Sequence, residues 1–348
     1  MNHAINKIGE IYNNELMNVF LPANMECEKQ GPGFIFKEGN IHRQSIELYQ
    51  CENVVISWDW KNGSCIYNIN GDVILDLKDY WDEKPNYIRP KTEKIQGNTL
   101  SLIQFKVRKN YAHFILECLA KLFYFREELG IDDFDSYLVD KYSMPAFSEL
   151  SKILNLKGKP VYLEMGGSLE CSNLFITSGL HHPMNRVEPI LHRSWQEITN
   201  RVLPRPLKFR RIFIDREQGN RGIINREEVD SILEKYEFEK VSFDNISILE
   251  QMRIVNGSNI IAGIHGAAFA NLIFADSMEK ISCIEVIPYS FGMQSYWFLS
   301  NGLGMNYCAV APVGGWGNQK IPTSRFDDIL VDIVDLENSI INSIVFCK

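Results

Sequence analysis

The sequence predicts an α/β protein with a β-rich segment near its start. Three observations carry this. Short apolar runs alternate with amphipathic stretches from about residue 100 to 203. The same alternation returns from residue 211 to 287, with cleaner helix caps. Residues 31–77 carry short β-like runs separated by Gly and Asn turns. Alternation of strands with helices implies a mostly parallel sheet covered on both faces.

The β-rich segment contains GFIFKE, NVVISWDW, SCIYNI and DVILDL, broken by KNGS and INGD, and reads as an antiparallel appendage. A polar connector with two prolines follows, from Tyr80 to Asn98. SLIQF (101–105) is then expected as a strand. Asn110 can cap one helix running to Gly130. SYLVD, PVYLE and NLFITS are expected strands; PAFSELSKILNL and VEPILHRSWQEITNRVL are expected helices. PRPLK (204–208) holds two prolines in five residues and marks the expected domain boundary.

In the second half RIFID (211–215) reads as a strand and REQGNRGII as a basic loop. Asn225 with Glu228, and Ser247 with Glu250, are expected capping boxes. NIIAGI and ISCIEVI are strands, and HGAAFANLIFA a loop entering a helix. The expected domains are 1–205, 206–325 and a tail, 326–348, that folds back on the N-terminal part.

Of 348 residues, 45% are hydrophobic and 23% charged, a globular balance with no sign of disorder. The net charge of −8 speaks against a nucleic-acid surface. An anionic ligand would need a local cluster of arginines. The eight cysteines form no C-x-x-C pair and read as reduced, buried thiols. The first residues lack a signal-peptide core, and no run of ~18 apolar residues exists. A soluble cytoplasmic protein is expected, with room for peripheral contact with a membrane-bound partner.

Several residues are placed to do chemistry. His265 and Gly266 fall where NIIAGI should end, and sheets of this kind bind ligands outside the carboxyl ends of their strands. Gly266 and Ala267 would then present N–H groups at a helix N-terminus, an anion site. The plainer alternative is a core histidine among small residues. Arg216 and Arg221 follow the strand RIFID and would reach the same edge, where guanidinium suits phosphate. Glu285, inside CIEVI, would accept hydrogen bonds from ribose hydroxyls or pair with an arginine. His113 and Glu117 stand four apart on a helix, so a neutral His113 oriented by Glu117 can act as a base, or the two form a boundary pair that only knits the helix to its neighbour. Asn110, His181 and His182 are acceptor-side or cleft candidates. Asp133 and Asp135 form a D-x-D in an acidic loop. G-x-G-x-x-G, G-x-x-x-x-G-K-[ST] and G-x-S-x-G are all missing, which speaks against a standard dinucleotide enzyme, a P-loop NTPase and an α/β-hydrolase.

Three segments together resemble glycosyltransferase family 61: KNYAHFILECLAKL (109–122), FIDREQGNRGIINREEV (213–229), and IIAGIHGAAFANLIFA with IEVIP (284–288). The resemblance spans roughly residues 100–290. It departs at Ala267–Ala268–Phe269, where the family often shows Ala-Gly-Leu. What it implies is a GT-B-like architecture, two Rossmann-like domains facing across a cleft. It further implies an inverting, metal-independent transferase using a nucleotide-sugar donor and a glycan or glycolipid acceptor, as in surface polysaccharide assembly. On that reading Arg216, Arg221, His265, Gly266, Ala267 and Glu285 hold the donor, and His113 is the base. Asp59 and Asp140 are substitute bases. A non-catalytic sugar or nucleotide binder on the same scaffold is the alternative from another class. A divalent-ion phosphate-ester enzyme using the D-x-D is a third.

Overall fold

The computed structural model describes residues 4–11, 16–25, 29–31, 34–42, 45–59, 63–75, 86–90, 94–104, 110–178, 189–206, 209–216, 221–276, 278–288, 294–315 and 327–348. His181, His182 and Cys27, with Lys61 and Asn62 of the KNGS turn, lie outside these residues. The chain forms two compact units, Met1–Leu16 with His42–Pro183, and Met17–Ile41 with Met184–Lys348.

The N-terminal strands are β1 (Ala4–Ile11), β2 (Leu16–Val19), β3 (Lys29–Gly31), β4 (Phe34–Phe36) and β5 (Gly39–His42). The first unit adds β6 (Ile46–Asp59), β7 (Gly63–Tyr67), β8 (Val73–Leu75), β9 (Ile95–Ser101), β10 (Ser136–Asp140), β11 (Lys159–Leu163) and β12 (Ser168–Thr177). One mixed sheet runs β11-β10-β9-β12-β6-β7-β8, with β1 on β6. The first four of these strands are parallel. β6 joins β12 antiparallel, from Ser168↔Ser57 to Thr177↔Leu48.

From Ile46 onward the β-rich segment is therefore no appendage; before it, β4 pairs with β3 and β5 with β2 in separate two-stranded sheets. Val54 to Trp58 are buried without a break, so both faces of β6 are covered there. An exposed hairpin would alternate buried with exposed. The strand expected at 101–105 lies earlier, at Ile95–Ser101. Thr99 and Leu100 pair on both sides, while Ile95 and Asn98 of its polar start pair with β12 alone.

The expected single helix after Asn110 is built in three pieces. They are α1 (Tyr111–His113), a π-helical turn (Phe114–Cys118) and α2 (Ala120–Leu129). The Leu119 N–H reaches the Phe114 carbonyl at 3.0 Å, the five-residue bond of a π turn. Gly130, at φ 64°, ends α2 as expected. α3 (Met144–Ile153) completes this unit.

The second unit contains α4 (Pro189–Val202), β13 (Arg210–Asp215), α5 (Arg226–Lys235), β14 (Phe238–Ser242), α6 (Ile248–Asn256) and β15 (Ser258–Ile264). A 3-10 helix (Ala267–Phe274), β16 (Ser282–Val286), α7 (Ser295–Gly302), β17 (Asn306–Val310) and α8 (Ile333–Cys347) follow. All five strands are parallel, in the order β14-β13-β15-β16-β17. This is a doubly wound order whose direction reverses between β13 and β15. Phe213, Ile260, Ile284 and Cys308 pack with Val229 and Leu233 of α5 and Leu336 and Ile340 of α8. Residues 283, 285 and 307 point to the opposite face by the period of two. No described helix is long and apolar enough to cross a membrane.

The grouping of the chain differs from the expected 205/206 division. α4 belongs with the second unit: Trp195 stacks edge-on to Phe274 at 4.9 Å, and Gln196 Nε2 donates to the Ala275 carbonyl at 2.7 Å. Segment 17–41 joins it as well. The Asn24 side chain donates to the Ala309 carbonyl at 2.8 Å and accepts from its N–H at 3.0 Å, occupying the edge of β17.

The tail expected to fold back on the N-terminal part instead forms α8, which covers the second unit's own sheet. Asp332 caps it, accepting from the Val334 and Asp335 N–H groups, and Leu336 and Ile340 are fully buried. Ser247 caps α6 as expected, at 3.1 Å from the Glu250 N–H. Asn225 stands at the N-cap of α5 and donates to Glu228 Oε2 at 2.8 Å, so the expected pair meets, but its side chain takes no helix N–H. Its amide also pairs with the Val331 backbone, donating at 3.0 Å and accepting at 2.9 Å.

Truncating Leu336 to alanine empties a fully buried site, so stability should fall by about 2–5 kcal/mol. A lower urea midpoint for the second unit is the expected result. An unchanged midpoint would remove α8 from its core.

Candidate functional site

The carboxyl edge of the second sheet is where two predicted loops meet. Arg216 follows β13 directly, and Arg221 closes the same loop. Both donate to one acceptor, the His265 carbonyl: Arg221 Nη1 at 2.7 Å and Arg216 Nη2 at 3.4 Å. β13 and β15 are neighbours in register, Ile214 beside Gly263, so this is the switch point of the sheet. Two loops some forty residues apart thus share one rim position, as the sequence pattern predicts.

The approach is close because the chain is bare at two places. A Cβ on Gly263 would stand 2.8 Å from the Ile214 carbonyl oxygen. A Cβ on Gly266 would collide with Arg216 Nη2. The arginine loop is also braced. Asp215 accepts both terminal nitrogens of Arg226, and takes the Arg216 N–H at 2.8 Å. Arg221 adopts φ 71°, a left-handed conformation that costs a non-glycine residue about 1 kcal/mol. Its neighbour Gly222 donates to Asp328 Oδ1 at 2.6 Å, which holds the turn. Arg221 is buried, and burial lowers the pKa of Arg216. Guanidiniums sheltered from water interact more strongly with an anion than exposed ones.

His265 is nearly buried. Its N–H donates to the Val286 carbonyl at 2.9 Å, and its Nδ1 hydrogen-bonds Glu285 Oε1. Tyr307 donates its hydroxyl to the other oxygen of Glu285 at 2.5 Å. The Tyr296 ring lies 5.2 Å from the imidazole. Glu285 is fully enclosed with both oxygens engaged, so the expectation that it meets a ribose is corrected. The alternation of β16 turns it inward, and it anchors the histidine instead. Ala267 opens the 3-10 helix after Gly266 as expected.

The first unit holds the second constellation. Asn110 accepts from the Ala112 and His113 N–H groups at 3.1 and 3.3 Å, which fixes the start of α1. Its oxygen is thereby committed to the cap. His113 Nδ1 lies 2.7 Å from Glu117 Oε1 across the π turn. Gln104 Nε2 donates to Glu117 Oε2 at 2.8 Å. Gln104 is held in turn by its neighbours. Trp58 Nε1 donates to its carbonyl at 3.2 Å, and Lys121 Nζ donates to the Ile103 carbonyl at 2.6 Å. With Nδ1–H given to a carboxylate, the imidazole keeps Nε2 as its basic atom.

The remaining candidates are accounted for. Asp133 pairs with Lys157 at 2.7 Å and Asp135 accepts the Asn98 N–H at 2.7 Å, so the D-x-D serves the loop. Asp140 is buried and accepts from the Tyr142 and Ser143 N–H groups at 3.1 and 3.2 Å. Asp59 ends β6. No three described His, Cys, Asp or Glu residues gather as metal ligands. Sequence reasoning missed Gln104, Asp215, Arg226, Tyr296 and Tyr307. Asp215 at a strand end, with Arg226 in the first turn of the next helix, was the one visible signal. Gln104 lies in SLIQF with nothing local to mark it, and Tyr296 and Tyr307 lie outside the quoted segments.

Residues 111–283, about half of the chain, match the family model for Glycosyltransferase 61. Through this region the chain belongs to the glycosyltransferase 61 family. It is also similar to the EGF domain-specific O-linked N-acetylglucosamine transferase of Drosophila melanogaster, 31% identical over 107 residues. That similarity covers 30% of this chain and 19% of the Drosophila protein. The glycosyltransferase 61 region takes in His113, Glu117, Arg216, Arg221, His265 and Gly266. Glu285 and Tyr307 lie just beyond it, although they hold one of its histidines.

Gly266→Ala should push the Arg216 guanidinium off this rim while leaving the fold intact. In a crystal structure of the variant, the contact of Arg216 Nη2 with the His265 carbonyl, 3.4 Å in the parent, should be lost. A contact kept in place would show that the close approach is incidental.

Proposed function

We propose that this protein transfers a sugar from a nucleotide-sugar donor to a hydroxyl of a glycan acceptor, with inversion. The observation that carries the reading is the convergence of Arg216 and Arg221 on the His265 carbonyl at the switch point. A diphosphate at that rim would meet Arg216 and the N–H groups after His265, with the charge of Arg221 behind them. These groups act where negative charge grows as the anomeric bond to the leaving diphosphate breaks. Charge neutralisation is thus given to arginines and backbone, without a metal. A GT-B-like pairing of the two units belongs to the same proposal.

Inversion in one displacement needs a base for the acceptor proton. As the acceptor oxygen bonds to the anomeric carbon, its proton passes to His113 Nε2. Glu117, bonded to Nδ1 at 2.7 Å, then faces the imidazolium that forms. Support comes from family membership and from a dyad fixed on both sides, by the Asn110 cap and by Gln104. The name of the Drosophila relative makes an N-acetylglucosamine donor the first to test. Glycolipid and polysaccharide acceptors come next, following the family resemblance.

Arg216→Ala should lower kcat/KM by about 100-fold or more, as loss of one charge-stabilising donor does. Its thermal midpoint should stay near the parent's. Unchanged turnover with every nucleotide-sugar tried would defeat the assignment. His113→Gln should reduce kcat by about 10²–10⁴ while donor affinity holds. A variant with full kcat would move the base elsewhere, Asp59 and Asp140 being the next to replace.

A further inference from the structure

Glu285 poses a question that sugar transfer alone does not answer. It sits in the middle sheet layer at 0% exposure, aligned with Gly263 on β15 and Ala309 on β17. Those two small residues leave room for its side chain. A carboxylate so enclosed needs donors. It has two, the Tyr307 hydroxyl on Oε2 and His265 Nδ1 on Oε1. Tyr307 precedes Ala309 by two residues and so shares its face of the sheet.

The groups around His265 come from four elements. Glu285 faces it from β16, with the Cys283 thiol beside that carboxylate. Tyr307 stands behind on β17, and Tyr296 covers the ring from α7. Arg216 and Arg221 approach from the loop after β13. Burial, and after it the charge of Glu285, keeps Tyr307, Tyr296 and Cys283 protonated well above their ordinary range. Among these described residues, one carboxylate and two guanidiniums are the charged groups beside the imidazole. Glu285 is the group bonded to the ring, and the Tyr307 hydroxyl is the donor on its other oxygen, so Tyr307 reaches the imidazole through that carboxylate.

We propose that Tyr307 is a positioning residue for the anion site: through Glu285 it sets the protonation of His265, the residue whose carbonyl carries both arginines. The proposal rests on the reading that this rim takes the donor's diphosphate. Its sign follows directly. Without the hydroxyl the carboxylate is less stable, so the His265–Glu285 pair keeps its proton to higher pH. A protonated pair adds positive charge and favours anion binding. Affinity should therefore fall as pH rises through the pair's titration, and in Tyr307→Phe that fall comes later.

The test titrates the imidazole by ¹⁵N NMR in histidine-labelled protein, with the signal assigned by its loss in His265→Gln. Inorganic pyrophosphate binding is measured across the same pH range. In Tyr307→Phe the midpoint should rise by about 0.5–1 pH unit, and the binding curve should move with it. Tyr236→Phe, whose lost hydroxyl donates to Glu337 at 2.9 Å, should shift neither. A His265 titration unchanged in Tyr307→Phe, or binding weakened equally at every pH, overturns the proposal. If that variant does not fold, Glu285→Gln reads the same coupling. Loss of the carboxylate should lower the midpoint by about one unit or more, and no lowering refutes it. If the parent protein binds no pyrophosphate at any pH, the donor-site reading fails, and the NMR shift alone decides whether Tyr307 governs His265.

Discussion

Two guanidiniums on one carbonyl oxygen are the constraint around which the second unit is arranged. Like charges gather in this way only when the backbone lets them close and other bonds hold them. The doubly wound strand order supplies the first condition, because β13 and β15 are adjacent while their helices leave in opposite directions. Gly263 and Gly266 supply the space. Asp215, Arg226 and Asp328 supply the bracing, and the left-handed turn at Arg221 records its cost. His265 sits at the centre because its carbonyl accepts the arginines while its ring is tied down by Glu285.

The same pair of residue types recurs in the first unit for a different purpose. His113 and Glu117 meet within one helix, across a π turn that widens the local coil. His265 and Glu285 meet across two strands. The side chain of His113 is 14% exposed and that of His265 only 6%. In the proposed reaction this difference separates their roles: the partly open imidazole on a firm carboxylate is the one that would exchange a proton with a substrate. An enclosed one tied to a buried carboxylate and a tyrosine is better placed to set the charge and shape of its surroundings.

Much of the second unit was legible. The strands RIFID, NIIAGI and ISCIEVI and the cap at Ser247 follow from runs of apolar residues and from local side-chain bonds. The convergence of the arginine loop with His265 was legible too, since parallel strands deliver their loops to one edge. Less could be read where a residue's partner is remote. Asn225 meets Glu228 as expected, but its amide also pairs with the Val331 backbone, more than a hundred residues away. Tyr307 carries no motif, and its meaning lies in the carboxylate that it meets on the next strand.

The sequence by itself determined the periodicities, the caps with local partners, the loops that carry arginine and histidine, and the family they resemble. These depend on residues within a few positions of each other, or on an order of segments along the chain. Only the tertiary structure decided that the β-rich segment from Ile46 onward completes a mixed sheet, that the tail covers the second sheet, and that Glu285 faces inward. Each of those outcomes is set by which distant surfaces bury each other's apolar and polar groups, and that choice is made by the folded chain as a whole.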